Sequence, residues 1–215
     1  MIKLSLFDVA GAGSPKERVA FHWLAVLLLA CAAVSCCTTR VPETEAARQA
    51  ARGEFKEAMA RAMKGDAEGQ VLVASMYEFG FGVKQDSAEA LMWWRLAAAQ
   101  GHPVAQYQFG VMYQFGDRLK RDWVEALRWY RLGAEQDHVP SQGAVGHLYR
   151  DGKGVAKDWV EAYAWFNLSA QTHQLSEKWR DEIAAKMSAQ QVSSAQGRTQ
   201  ELRALIDAKV KGRGR

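Results

Sequence analysis

Histidine, serine, cysteine and paired carboxylates are the residues with which this chain could do chemistry, and their spacing decides whether it does. The five histidines are His22, His102, His138, His147 and His173. His102 and His138 share one sequence context 36 residues apart. If each closes one unit of a helical stack, they stand roughly 10 Å apart, too far to share a metal ion. Neither His-x-x-x-His nor Cys-x-x-Cys spacing occurs, so no metal site is expected. Ser75 and His147 occupy corresponding places two units apart, which removes them as a nucleophilic dyad. There is no Gly-x-Ser-x-Gly elbow, and Gly80-Phe81-Gly82 lacks the strand and the Lys-Ser/Thr of a phosphate loop. Three carboxylate pairs remain: Asp86 with Glu89, Asp122 with Glu125, and Asp158 with Glu161. A catalytic pair is needed once, whereas a helix needs a cap every time one starts, so the recurrence marks these six as structural caps. The expectation is a protein that is not an enzyme, with no cofactor and no small-molecule substrate.

With chemistry set aside, the elements that build a surface become the question. Self-comparison gives a period of 36: residues 65–100, 101–136 and 137–172 align without a gap. Nine positions hold the same residue in all three copies, among them Gln70/Gln106/Gln142, Tyr77/Tyr113/Tyr149, Gly80/Gly116/Gly152 and Trp93/Trp129/Trp165. Each unit reads as two helices. Helix A of the first runs from about Ala67 to Phe79 and ends at Gly80, a residue able to take the left-handed cap conformation without a Cβ penalty. Helix B begins at Asp86 and carries Ala90, Trp93, Leu96 and Ala97 as an apolar stripe meant for the core, ending near Gly101. At that last position the later copies place Asp137 and His173, types that tolerate positive φ better than most.

Two short helices cannot bury an apolar face alone, so the copies must stack. The fold class that follows is all-α: a right-handed α-solenoid of tandem helix-turn-helix 36-residue repeats with helical caps. Residues 43–64 are Ala-, Glu- and Arg-rich and suit an N-terminal capping helix. Residues 173–208 suit C-terminal capping helices, one over 175–187 and a last one opened by the Ser188-x-x-Gln191 box. Residues 209–215 read as a basic, frayed tail.

Met76-Tyr77-Glu78-Phe79-Gly80-Phe81-Gly82-Val83, followed by the 86–98 segment and their two downstream equivalents, resemble the Sel1-like repeats, relatives of the tetratricopeptide repeat. The likeness covers 65–172. It implies an adaptor surface for a protein or peptide partner, usually without catalysis and often exported or envelope-associated in bacteria. Asp117-Arg118 departs from the pattern, standing where the first copy has Phe81-Gly82, so that turn should be stiffer or differently shaped. On helix A the positions that differ between copies fall at 68, 71, 72, 75 and 78 and their equivalents, along one side of the helix. By analogy with tetratricopeptide arrays that side lines the concave groove. The residues expected to touch a partner are Leu72, Tyr107, Gln108, Val111, His147 and Arg150.

Residues 21–34 are almost unbroken apolar sequence behind Lys16, Glu17 and Arg18, and a polar stretch starts at Thr38. That is the order of an export signal, over residues 1–37, and the run falls short of the roughly 20 residues a spanning helix needs. All three cysteines, Cys31, Cys36 and Cys37, sit at its end, so the rest of the chain has none with which to form disulfides. The placement resembles the lipobox of bacterial lipoproteins, with Cys36 the expected lipidation site and Cys31 the alternative. The expected location is the periplasm, membrane-anchored through an N-terminal lipid. The alternatives are a soluble secreted or periplasmic interaction protein without lipid and an envelope hydrolase. A formal charge of +4 on 215 residues is too small an excess for nucleic-acid binding.

Overall fold

The computed structural model describes residues 44–213, so the export segment with Cys31 and Cys36 lies outside the described residues. Within them the chain forms nine helices and no strand: α1 (Glu45–Met63), α2 (Ala67–Phe79), α3 (Ser87–Ala99), α4 (Pro103–Phe115), α5 (Trp123–Ala134), α6 (Val139–Asp151), α7 (Trp159–Ser169), α8 (Gln174–Ala184) and α9 (Ala189–Arg213). Each of α2/α3, α4/α5 and α6/α7 is an antiparallel hairpin packed against the next, which makes the array an α-solenoid.

Local chemistry sets every boundary. Asp86, Asp122 and Asp158 sit extended at the N-caps of α3, α5 and α7, and each Oδ1 accepts from two backbone amides, those of Ala88 and Glu89 in the first case. These bonds satisfy donors that have no partner inside the helix. At the other turn, α2, α4 and α6 end on Gly80, Gly116 and Gly152, with φ of 71°, 73° and 68°. The recurring glutamines fasten the array: Gln70 and Gln142 Nε2 reach the Ala62 and Ala134 carbonyls of the preceding helix at 3.5 Å, and within a unit Gln70 and Gln106 accept from Gln100 and Gln136 at 2.8 and 2.6 Å. The middle unit keeps the turn geometry without the glycine. Arg118 takes φ 63° where Gly82 and Gly154 take 70° and 71°.

Four sequence expectations change. In the 36-residue register His173 aligns with Gly101 (φ 81°) and Asp137 (φ 63°), yet its φ is −129° and it is the N-cap of α8. The turn before α8 is one residue shorter, so His173 takes the role of His102 and His138, which precede α4 and α6. Leu96 does not belong to the buried stripe. It is 43% exposed, and Trp94 at 1% joins Ala90, Trp93, Ala97 and Ala98 in the core instead. The tail is not frayed from residue 209, because α9 continues to Arg213, while α8 stops at Ala184, short of residue 187.

The core divides into two clusters. One joins α1 to α4 through Ala58, Val73, Trp93, Trp94, Phe109 and Met112. The other joins α5 to α9 through Tyr130, Leu148, Trp165, Phe166, Leu168 and Ile206. Helices within a hairpin approach closely where a side chain is missing: a Cβ on Gly110 would enter the Tyr130 ring, and one on Gly146 would lie 2.7 Å from Phe166. The last helix breaks the repeating arrangement. It opens with a reciprocal box in which the Ser188 amide donates to Gln191 Oε1 and the Gln191 amide to Ser188 Oγ. It then lies along α7, burying Ala195, Thr199, Leu202 and Ile206 at spacings of one helical face.

Candidate protein-binding face

The candidate surface is the side of α2, α4 and α6 that carries the positions differing between repeats. At one of those positions the structure shows what the difference answers to. Helix A position 78/114/150 faces helix B position 94/130/166, and the pair varies together. Trp94 Nε1–H donates to Glu78 Oε2 at 3.0 Å, and the Tyr130 hydroxyl donates to Gln114 Oε1 at 2.9 Å. Phe166 has nothing to donate, and Arg150 stands opposite it. Freed from that duty, the Arg150 guanidinium makes two bonds to the Asp151 carboxylate, at 2.7 and 3.2 Å, and holds that carboxyl below its usual range. Glu78 also accepts from Arg118 at 2.9 Å, so the arginine that replaced glycine ties the second unit to the first.

The other expected contact residues separate by neighbourhood. Leu72 is half-buried against the first cluster, and Tyr107 and Val111 are half-buried against the second. The Tyr107 ring lies 5.5 Å from Tyr130 and 5.5 Å from His138, edge-on to the latter. Burial raises the Tyr107 phenol above its usual pKa. Gln108 is half-buried. His147 is held between Phe166 at 5.0 Å and Trp179 at 4.2 Å, and burial lowers it to about 4, with the Arg150 charge adding to the effect. Burial likewise lowers His138 to about 4, with His102 contributing. At neutral pH both imidazoles are therefore uncharged and act as flat, polar-edged packing groups. The face is thus brought together as two aromatic groups, Tyr107 with His138 and His147 with Trp179. Leu72 belongs to neither.

Trp179 and His138 are missing from the partner-contact residues expected from the sequence. Once the shortened turn is allowed for, Trp179 occupies the place of Leu72, Gln108 and Ala144. The signal was present in His173-x-x-Ser176, which repeats His138-x-x-Ser141. In both, the imidazole Nδ1 meets the serine Oγ, at 3.0 and 2.7 Å. Among the described residues no group of three or more His, Cys, Asp or Glu is placed to hold a metal ion, and no helix is long and apolar enough to cross a membrane.

Stacked helical hairpins with a variable helix A face define a helical-repeat scaffold of the kind that binds other proteins. The Sel1 repeat matches three consecutive stretches, residues 67–102, 103–138 and 139–171, each starting at a helix A. A solved Sel1 repeat protein from Oxalobacter formigenes is 32% identical, with a TM-score of 0.57 over 60% of this chain and 98% of that one. A protective antigen of uropathogenic Escherichia coli strains, displaying an SLR fold, is 25% identical with a TM-score of 0.56 over 74% of this chain. The match spans only 42% of that antigen's length. No curated protein matches. The chain belongs to the Sel1-repeat family, whose repeats are typically non-catalytic protein-interaction modules.

Proposed function

We propose that this protein is a non-catalytic adaptor of the bacterial cell envelope, which binds a protein or peptide partner through the helix A face and is tethered by lipid at Cys36. One observation carries the binding half. Capping and unit-to-unit bonding residues are the same in every repeat, whereas Leu72, Gln108, Val111, His147 and Arg150 differ and lie along one face, only partly buried. A surface that merely closed the fold would repeat with it. Tyr107 contributes as a rigid aromatic wall, and Trp179 extends the face by one more helix. The envelope half rests on the order of charged residues, apolar run and cysteine in residues 16–36.

Two measurements test these halves separately. A photoreactive residue at Gln108 should yield a discrete adduct in the producing cell, and one at Gln200, exposed on α9, should not. Equal adducts from both sites, or none from Gln108, would remove the binding face. Labelled palmitate should be incorporated by the wild type and by Cys31→Ser but not by Cys36→Ser. Absence of label in all three would leave an exported adaptor without lipid.

A further inference from the structure

The chain contains its own example of a helix docked on the back of the array, and the same seat stands open in the first repeat. In the third repeat α9 covers the outer face of α7. Ala164 is fully buried and Leu168 is 1% exposed beneath it, and Arg198 Nε donates to Glu161 Oε1 at 2.5 Å. Glu161, held in that position, accepts the Trp165 indole N–H on its other oxygen at 3.2 Å. The corresponding residues of the first repeat are Glu89, Met92, Trp93 and Leu96. There Met92 and Leu96 are 45% and 43% exposed, Glu89 makes no ion pair among the described residues, and Trp93 is 6% exposed with its buried Nε1–H lacking any acceptor. In the second repeat the Trp129 indole N–H is likewise buried without an acceptor, but the face above it is occupied. Arg128 replaces the aliphatic residue, pairs with Glu125 at 3.5 Å and lies over the Trp129 ring at 5.5 Å.

We propose that the outer face of α3, centred on Glu89, Met92 and Leu96, is a second docking site. It takes an amphipathic helix of a protein partner bearing an arginine followed at four and eight residues by aliphatic side chains. That is the pattern with which Arg198, Leu202 and Ile206 of α9 hold α7. The arginine draws Glu89 across the indole, which satisfies a donor now buried without a partner, and the aliphatic side chains cover Met92 and Leu96. This site lies on the face away from Gln108 and His147, so it is independent of the adaptor face.

The test uses a synthetic peptide of residues 189–213 as the probe, titrated into the full chain carrying 15N-labelled tryptophan. Saturable binding should move the Trp93 indole N–H resonance toward the position of Trp165. Glu89→Gln or Leu96→Asp in the protein, or Arg198→Ala in the peptide, should weaken binding at least tenfold. Both protein substitutions are at solvent-accessible positions, so the fold tolerates them. No binding, binding unaffected by these substitutions, or a shift at Trp165 in place of Trp93, showing exchange with the chain's own α9, would each overturn the proposal.

Discussion

At the scale of single residues, the repeats separate two kinds of glycine that look alike in sequence. Gly110 is buried in α4 against the Tyr130 ring, and any side chain there must displace it. Gly53 lies exposed in α1 with nothing within 4 Å of where a Cβ would stand. Gly110→Ala should therefore destabilise by about 1–3 kcal/mol through overpacking. Gly53→Ala should stabilise by about 0.5–1 kcal/mol, because it removes only unfolded-state freedom. Denaturant midpoints of the two variants check the opposite signs. A second residue-scale prediction concerns acid. Burial lowers His138 and His147 to about 4. A base whose folded pKa is depressed favours folding fully above its unfolded value near 6.5 and loses that contribution as pH falls toward 4. Stability should decline across that window by on the order of 1–2 kcal/mol per histidine, allowing for partial solvent access. The carboxyls of Asp66 and Asp151, both lowered, titrate below it. Melting temperatures from pH 7 to 4 should fall for the wild type and stay nearly flat for His138→Gln/His147→Gln.

At the scale of elements, the boundaries were legible because capping is local and recurs. Asp86, Asp122 and Asp158 announce three helices and Gly80, Gly116 and Gly152 end three others, whatever surrounds them. Burial was less legible, since it depends on the neighbour. Leu96 and Leu168 are the same residue at the same repeat position, yet one is 43% and the other 1% exposed, because only the second lies under α9. The same reason limited the reading of the binding face. Variation at Glu78, Gln114 and Arg150 looked like freedom, but the first two answer the indole of Trp94 and the hydroxyl of Tyr130. Differences between repeats thus mark matched pairs as well as open surface. The helical continuation past residue 208 was hidden because its support is distant: Lys209 Nζ donates to Glu135 at 2.7 Å and Arg203 to Asp137 at 2.9 Å. Such exposed pairs contribute little, about 0–1 kcal/mol. Ending the chain after Ala208 should therefore shift the denaturant midpoint hardly at all. Leu202→Ala and Ile206→Ala should each cost about 2–5 kcal/mol, since both side chains are buried against α7.

At the scale of the whole described array, the core divides within the second repeat, with α4 in one cluster and α5 in the other, and Tyr113 packs against both. Across the division run the Phe109–Trp129 stack at 4.9 Å and the approach of Gly110 to Tyr130. A solenoid is stabilised by nearest-neighbour interfaces, so its parts can open with different free energies. The fastenings are unequal. Helix α9 reaches Glu161, Asp137 and Glu135, all in the second half of the array, whereas α2 is held from the second repeat by Arg118 on Glu78 and His102 on Glu68, with no added helix lying over α3. Amide hydrogen exchange of the intact chain should accordingly show α6 and α7 protected longest and α1 to α3 opening first. A chain ending at Met187 uncovers Ala164 and Leu168 and leaves Glu161 without Arg198. Protection in α6 and α7 should then fall to or below that of α2 and α3, while the first half keeps its own rates. If the order of protection were the same in both chains, α9 would be a passenger on the array, and the imbalance would have to lie in the repeats themselves.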